Sequence, residues 1–157
     1  MTPVVKAPFG RFTTGRDEVI KSPSPFTMPE NKPKILIIED DQRINKVYMA
    51  KLSVEGITVM TALDGIEGLR KIYSEKPDLI LLDLMLPRKS GFDILKEIKA
   101  DPKVKDIPVI ILSNLAQEKE IEQGLALGAV DYLVKTDYSI QQVMEKIKKA
   151  LERSQNN

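Results

Sequence analysis

From residue 34 onward, short and wholly apolar runs alternate with longer stretches of helical period. Ile35–Ile38, Leu79–Leu82 and Val109–Leu112 have no polar residue for either side of a pleat. That predicts strands buried on both faces, the mark of a parallel sheet. Ile57–Thr61 and Asp131–Val134 read as two further strands. A helix is predicted over about Gln42–Glu55, capped by Asp41, with Ile44, Val47, Tyr48 and Leu52 inward and Gly56 ending it. The next runs from an Asp64 cap to about Glu75, with Glu67 at the third helical position and Ile66, Leu69, Ile72 and Tyr73 inward. A third spans about Phe92–Ala100. The fourth lies around Gln117–Leu127, with Ile121 and Leu125 on one face, and stops at Gly128. The last opens on a capping box, Ser139 to Gln142, and lays down Ile140, Val143, Ile147 and Leu151 as its inner stripe. Strand–helix five times over means right-handed crossovers. The expected class is α/β, a doubly wound five-stranded parallel sheet covered on both faces.

Residues 1–33 lack any such period and hold six of the ten prolines. They are expected to be a flexible, mildly basic arm, with Met28 an alternative start. The folded unit is expected over 34–153, followed by a short tail, 154–157.

Composition narrows the chemistry. The chain has 157 residues and a net charge of +1, which gives no whole-chain electrostatic case for nucleic acid. It has no Cys and no His. Thiolate metal sites, thiol redox chemistry, imidazole bases and a phosphohistidine within the chain are thereby excluded. No apolar run approaches the ~20 residues of a membrane span, and no secretory h-region is visible, so the cytoplasm is the default location. Carboxylates, hydroxyls and lysines carry whatever chemistry there is.

In open α/β sheets, ligands bind beyond the carboxyl ends of the strands. Those ends carry Glu39, Asp40 and Asp41 after the first strand, Asp83 after the third, Ser113 after the fourth and Lys135 after the fifth. Each has a plainer reading alone: Asp41 a helix cap, Asp83 a turn residue, Ser113 a loop hydroxyl, Lys135 a solvated lysine, Tyr132 core. Together they point elsewhere. If the first and third strands are neighbours, three carboxylates converge, and close carboxylates need a counter-charge. A hard divalent cation with oxygen ligands answers that, Mg²⁺ best. A carboxylate nucleophile, Mg²⁺, a hydroxyl and a lysine make a phosphoryl-acceptor site.

The segments ILIIEDD, DLILLDLMLPRKSG, PVIILSN and GAVDYLVK carry a resemblance. Over Lys34 to about Arg153 the chain resembles the receiver domain of bacterial two-component response regulators. The resemblance implies a flavodoxin-like (βα)5 fold with strand order 2-1-3-4-5. It also implies that Asp83 is the phosphoacceptor. Glu39, Asp40, Asp83 and the main-chain carbonyl of Met85 would hold Mg²⁺, and Lys135 would contact the phosphoryl group. Ser113 and Tyr132 match the switch pair, and Pro87 and Gly91 the turn after the acceptor. The family usually places Pro after the lysine, through a cis bond. Here Thr136 follows, and trans is expected because a cis bond before a non-proline residue costs ~3 kcal/mol. Met85 and Leu115 fall at the two variable positions flanking the path of hydrolytic water. Both are apolar, which predicts slow autodephosphorylation.

The resemblance implies a phosphoacceptor signalling protein rather than an enzyme. Its donor would be a histidine kinase or a histidine phosphotransfer protein, its target another protein, and its state monomeric or dimeric on phosphorylation. No output domain follows the last helix in this sequence, so a stand-alone receiver without direct DNA or membrane contact is expected. An unphosphorylated scaffold is the alternative. A haloacid-dehalogenase-type phosphatase would need an acid two residues beyond its nucleophile, and Met85 stands there. The fourth helix is acidic (Glu118, Glu120, Glu122) and the last is basic outside (Lys146, Lys148, Lys149, Arg153), a contrast suited to orienting a partner.

Overall fold

The apolar runs pair side by side into one parallel sheet. In the computed structural model, which describes residues 32–155, the strands are β1 (Lys34–Ile38), β2 (Thr58–Ala62), β3 (Leu79–Leu82), β4 (Val109–Ser113) and β5 (Asp131–Val134). The helices are α1 (Gln42–Val54), α2 (Gly65–Glu75), α3 (Gly91–Lys99), α4 (Glu118–Ala126) and α5 (Ile140–Gln155). The strand order is β2-β1-β3-β4-β5, all parallel. The expected α/β class and the 2-1-3-4-5 order are therefore both found. The expected arm lies outside the described residues except for its last two positions, and so does Met28.

Each apolar strand splits its side chains between two cores. Leu36, Ile38, Ile80, Leu82 and Ile111 face α2 and α3, meeting Ile72, Ile94 and Ile98. Ile35, Ile37, Leu79, Leu81, Ile110 and Leu133 face α1 and α5, meeting Tyr48, Leu52, Val143, Ile147 and Leu151. Full burial of each such side chain contributes about 1.5–3 kcal/mol, so the sheet's centre is its most firmly held part.

The caps follow the sequence. Asp41 and Asp64 accept main-chain N–H bonds from Arg43 and Glu67. Ser139 and Gln142 exchange the two bonds of a capping box, at 3.1 and 2.8 Å. Gly56 takes a left-handed φ of 83° just past α1.

Some inner-face assignments are corrected. Val47, Ile66, Leu125 and Ile140 are exposed. In α1, Tyr48 and Leu52 are buried as expected and Ile44 packs half-buried beside them, but Asn45 rather than Val47 completes the inner stripe. Met144 joins Val143 in the core of α5, and Gly124 takes the buried place on α4. There a Cβ would come within 2.6 Å of Ile111. Strand β2 is shifted by one residue, because the Ile57 N–H is still bonded to Leu52 O at the end of α1. Ser113, expected just after the fourth strand, is its last residue.

Candidate functional site

The register of the sheet sets the site. Ile38 pairs with Leu82, so Glu39 and Asp83 stand side by side one step beyond. The Asp83 N–H donates to Ile38 O at 3.0 Å, and the Glu39 N–H to Ala62 O at 3.0 Å. Glu39 and Asp83 are buried, while Asp40 is exposed. Ligand oxygens of Glu39, Asp40 and Asp83 all lie within 4.8 Å of one another.

Lys135 reaches into this cluster from the end of β5. Its Nζ lies 2.6 Å from Glu39 Oε1 and 3.4 Å from Asp83 Oδ2. The bond to Thr136 is trans, as expected, and Lys135–Asp137 form a single 3₁₀ turn. The lysine therefore reaches the acids with Thr136 in place. Burial disfavours the charged lysine, but the bond to Glu39 and the charges of Asp83 and Glu39 outweigh it and raise its pKa. Burial also raises the Glu39 pKa, opposed by the bonds from Lys135 and the Asp41 N–H. The two directions pull apart, since one favours a charged lysine and the other a neutral acid. With an ammonium at 2.6 Å from the carboxylate, the charged lysine is the direction the geometry supports.

The cluster lines an open cleft of about 280 Å³, with Met85, Asp41, Ile44 and Asn114 completing the wall. The Met85 N–H donates to Asp83 Oδ1 at 3.3 Å. A larger cleft, about 710 Å³, lies against Lys99, Lys105, Pro108 and Arg153, and none of the residues just named lines it. Size is a poorer guide here than the convergence of charged groups.

Ser113 and Tyr132 stand behind the cleft rather than in its wall. Both are buried, and the main chain of Leu115 joins them. The Leu115 N–H donates to Ser113 Oγ at 3.2 Å, and the Tyr132 hydroxyl donates to Leu115 O at 2.7 Å. Burial pushes the Tyr132 phenol up, with the charges of Glu120 and Asp83 adding to it.

Two glycines fix the loop after Asp83. A Cβ on Gly91 would lie 2.3 Å from Asp83 O, and one on Gly65 would lie 1.9 Å from Lys89 O. The Gly65 N–H donates to Pro87 O at 3.1 Å, so α2 begins against this loop. Gly91 was legible as part of the turn. Gly65 merely follows the Asp64 cap in the sequence, and the spacing of apolar residues does not mark Asn45. Its one signal was an amide on the apolar face of α1.

The donor set is all oxygen, carries three carboxylates and is close enough to share one ion. It fits a small hard divalent cation, Mg²⁺ foremost.

A family model described as the response regulator receiver domain matches residues 35–148. Among curated proteins, the DNA-binding dual master transcriptional regulator RpaA of Synechocystis sp. is 38% identical over 122 residues, covering 78% of this chain and 50% of that protein. The phosphate regulon transcriptional regulatory protein PhoB of Rhizobium meliloti is 35% identical over 122 residues, covering 78% and 53%. The chain thus spans about half the length of these relatives. Among solved structures, the receiver domain of the Francisella response regulator 1452 superposes with a TM-score of 0.73 at 32% identity, covering 78% of this chain and 99% of that one. A CheY-like receiver domain protein from Methanospirillum hungatei gives a TM-score of 0.74 at 28% identity, covering 80% and 98%.

Proposed function

The chain belongs to the receiver-domain family of response regulators, and from that premise we propose that Asp83 accepts a phosphoryl group in a Mg²⁺-dependent reaction. The carrying observation is the meeting of Asp83 with Glu39 and Asp40 within 4.8 Å, and with Lys135 Nζ at 3.4 Å. Bound Mg²⁺ supplies charge neutralisation for the incoming phosphoryl oxygens. Glu39, Asp40 and Asp83 would hold it, and the Met85 carbonyl would be a further ligand. An Asp83 carboxylate oxygen attacks phosphorus, the new P–O bond forms, and the bond to the donor's imidazole nitrogen breaks. Lys135 turns its ammonium from the carboxylates to a phosphoryl oxygen. Ser113 Oγ then donates to another phosphoryl oxygen and gives up its bond from Leu115. Because the Leu115 carbonyl holds the Tyr132 hydroxyl, that exchange is passed to Tyr132 on β5, beside α4.

The donor is a histidine kinase or a histidine phosphotransfer protein. The receiver's own output is a contact with another protein, as a monomer or a phosphorylation-dependent dimer, in the cytoplasm and without direct DNA binding by the receiver. No helix among the described residues is long and apolar enough to cross a membrane. The relatives named as transcriptional regulators are about twice as long, so the output of a whole regulator is a separate matter from the receiver's chemistry.

Incubation with acetyl phosphate and Mg²⁺ should add one phosphoryl mass to the intact protein. Asp83→Ala and an EDTA-treated sample should gain none. After removal of donor, the added mass should decay over minutes or longer, because Met85 and Leu115 give no group to orient water. No mass gain in a folded sample would favour the unphosphorylated scaffold.

A further inference from the structure

Asn45 stands where the buried stripe of α1 calls for an apolar side chain. It shares that stripe with Tyr48 and Leu52 and is only 5% exposed. Its Nδ2 donates to the main-chain carbonyl of Glu39 at 2.8 Å. Its Oδ1 is buried and has no hydrogen-bond donor among the described residues. A buried acceptor left in that way weakens the fold, and an apolar side chain of similar volume would remove the penalty. Packing alone therefore does not account for an amide at this position. What the amide does achieve is its bond to Glu39.

That bond acts at a sensitive place. Strand β1 ends at Ile38, and the Glu39 N–H makes the sheet's last bond on this side, to Ala62 O. Beyond it the sheet no longer fixes the backbone. The peptide between Glu39 and Asp40 is held instead from α1, through Asn45. Rotation of that peptide plane changes ψ of Glu39 and φ of Asp40 together. It swings the Asp40 carboxylate away from the other two of the cluster.

We infer that Asn45 is a positioning residue, whose amide locks the Glu39–Asp40 peptide so that the acidic pair and Asp83 face one divalent cation. This rests on the Mg²⁺-dependent reading above and deepens it. Asn45 does not itself enter the cleft wall. It acts as outer support for ligands, a role whose loss costs about tenfold or more in metal affinity. The cost of its unpaired Oδ1 is tolerated at a functional position.

The test compares wild-type protein with Asn45→Leu and Asn45→Ala. Mg²⁺ is titrated calorimetrically into each unphosphorylated protein, and melting is followed in EDTA. Both variants should bind Mg²⁺ about tenfold more weakly. Asn45→Leu exchanges one unpaired acceptor, its own Oδ1, for another, the Glu39 carbonyl, so it should melt in EDTA close to wild type, whereas Asn45→Ala should melt lower, because it also leaves a cavity. Affinity and stability would then part company. With acetyl phosphate, the Mg²⁺ concentration for half-maximal uptake should rise while the plateau at saturating Mg²⁺ stays put. Wild-type Mg²⁺ affinity in either folded variant overturns the inference. So does an affinity loss confined to Asn45→Ala, or a plateau that falls with the affinity. If wild type itself binds no Mg²⁺, the metal reading fails first and this role fails with it. If wild type binds and the variants bind equally, the positioning role alone is lost.

Discussion

At the residue scale, the site is a balance between two buried carboxylates and one lysine. Side chains of Glu39, Asp83 and Lys135 are 5%, 7% and 16% exposed, so solvent screens them little. Removing one partner of such a group leaves buried charge unpaired and costs about 3 kcal/mol. Lys135→Met should lower unfolding stability by about that much in EDTA at neutral pH, and saturating Mg²⁺ should recover part of it by replacing the lost positive charge. Urea denaturation with and without Mg²⁺ measures both. Equal stability of variant and wild type in EDTA would mean that Lys135 is not the counter-charge. The residues of this balance were legible in the sequence, because a polar residue directly after a wholly apolar strand has few structural excuses. Asn45 was not. On a helix the inner face is read from spacing, and the apolar Ile44 and Val47 drew its edge past the amide of Asn45, although Tyr48 and Leu52 lie where they were expected.

At the scale of elements, the strands were the most legible part and the helix faces less so. Ile66 and Ile140 sit in the first turns of α2 and α5, and their side chains reach solvent. Spacing cannot report that. Contacts between elements are also invisible to it. The Tyr73 hydroxyl of α2 donates to Asp101 Oδ2, just past α3, at 2.7 Å. That bond, with the Lys103 N–H, holds the Asp101 carboxyl below its ordinary pKa. A lowered carboxyl pKa stabilises the fold above the unfolded-state value, about 3.9, and the benefit fades as pH falls through the lower folded-state value. Tyr73→Phe should therefore destabilise the protein at neutral pH and lose that effect under acid conditions below both values. Melting curves across this range check it. A difference that persists undiminished in acid would assign the effect to packing instead. At the β2 edge, which no other strand among the described residues pairs, Lys71 Nζ donates to Thr61 O at 2.6 Å.

At the scale of the whole molecule, parallel crossovers bring distant sequence to one end of the sheet. Lys135 and Glu39 are 96 residues apart and touch at 2.6 Å. The strand–helix cadence made the class and the handedness legible, but not which strands are neighbours. The order 2-1-3-4-5 came from the resemblance, and the convergence of Glu39 with Asp83 depends on it. The most direct measurement is to locate the phosphoryl group. Phosphorylated protein would be reduced with borohydride, which converts an aspartyl phosphate to homoserine, then digested and sequenced by mass spectrometry. The account predicts homoserine at position 83, dependent on phosphodonor and Mg²⁺. Homoserine at Asp40 or Asp41 instead, or none in protein that carries the added mass, would contradict it.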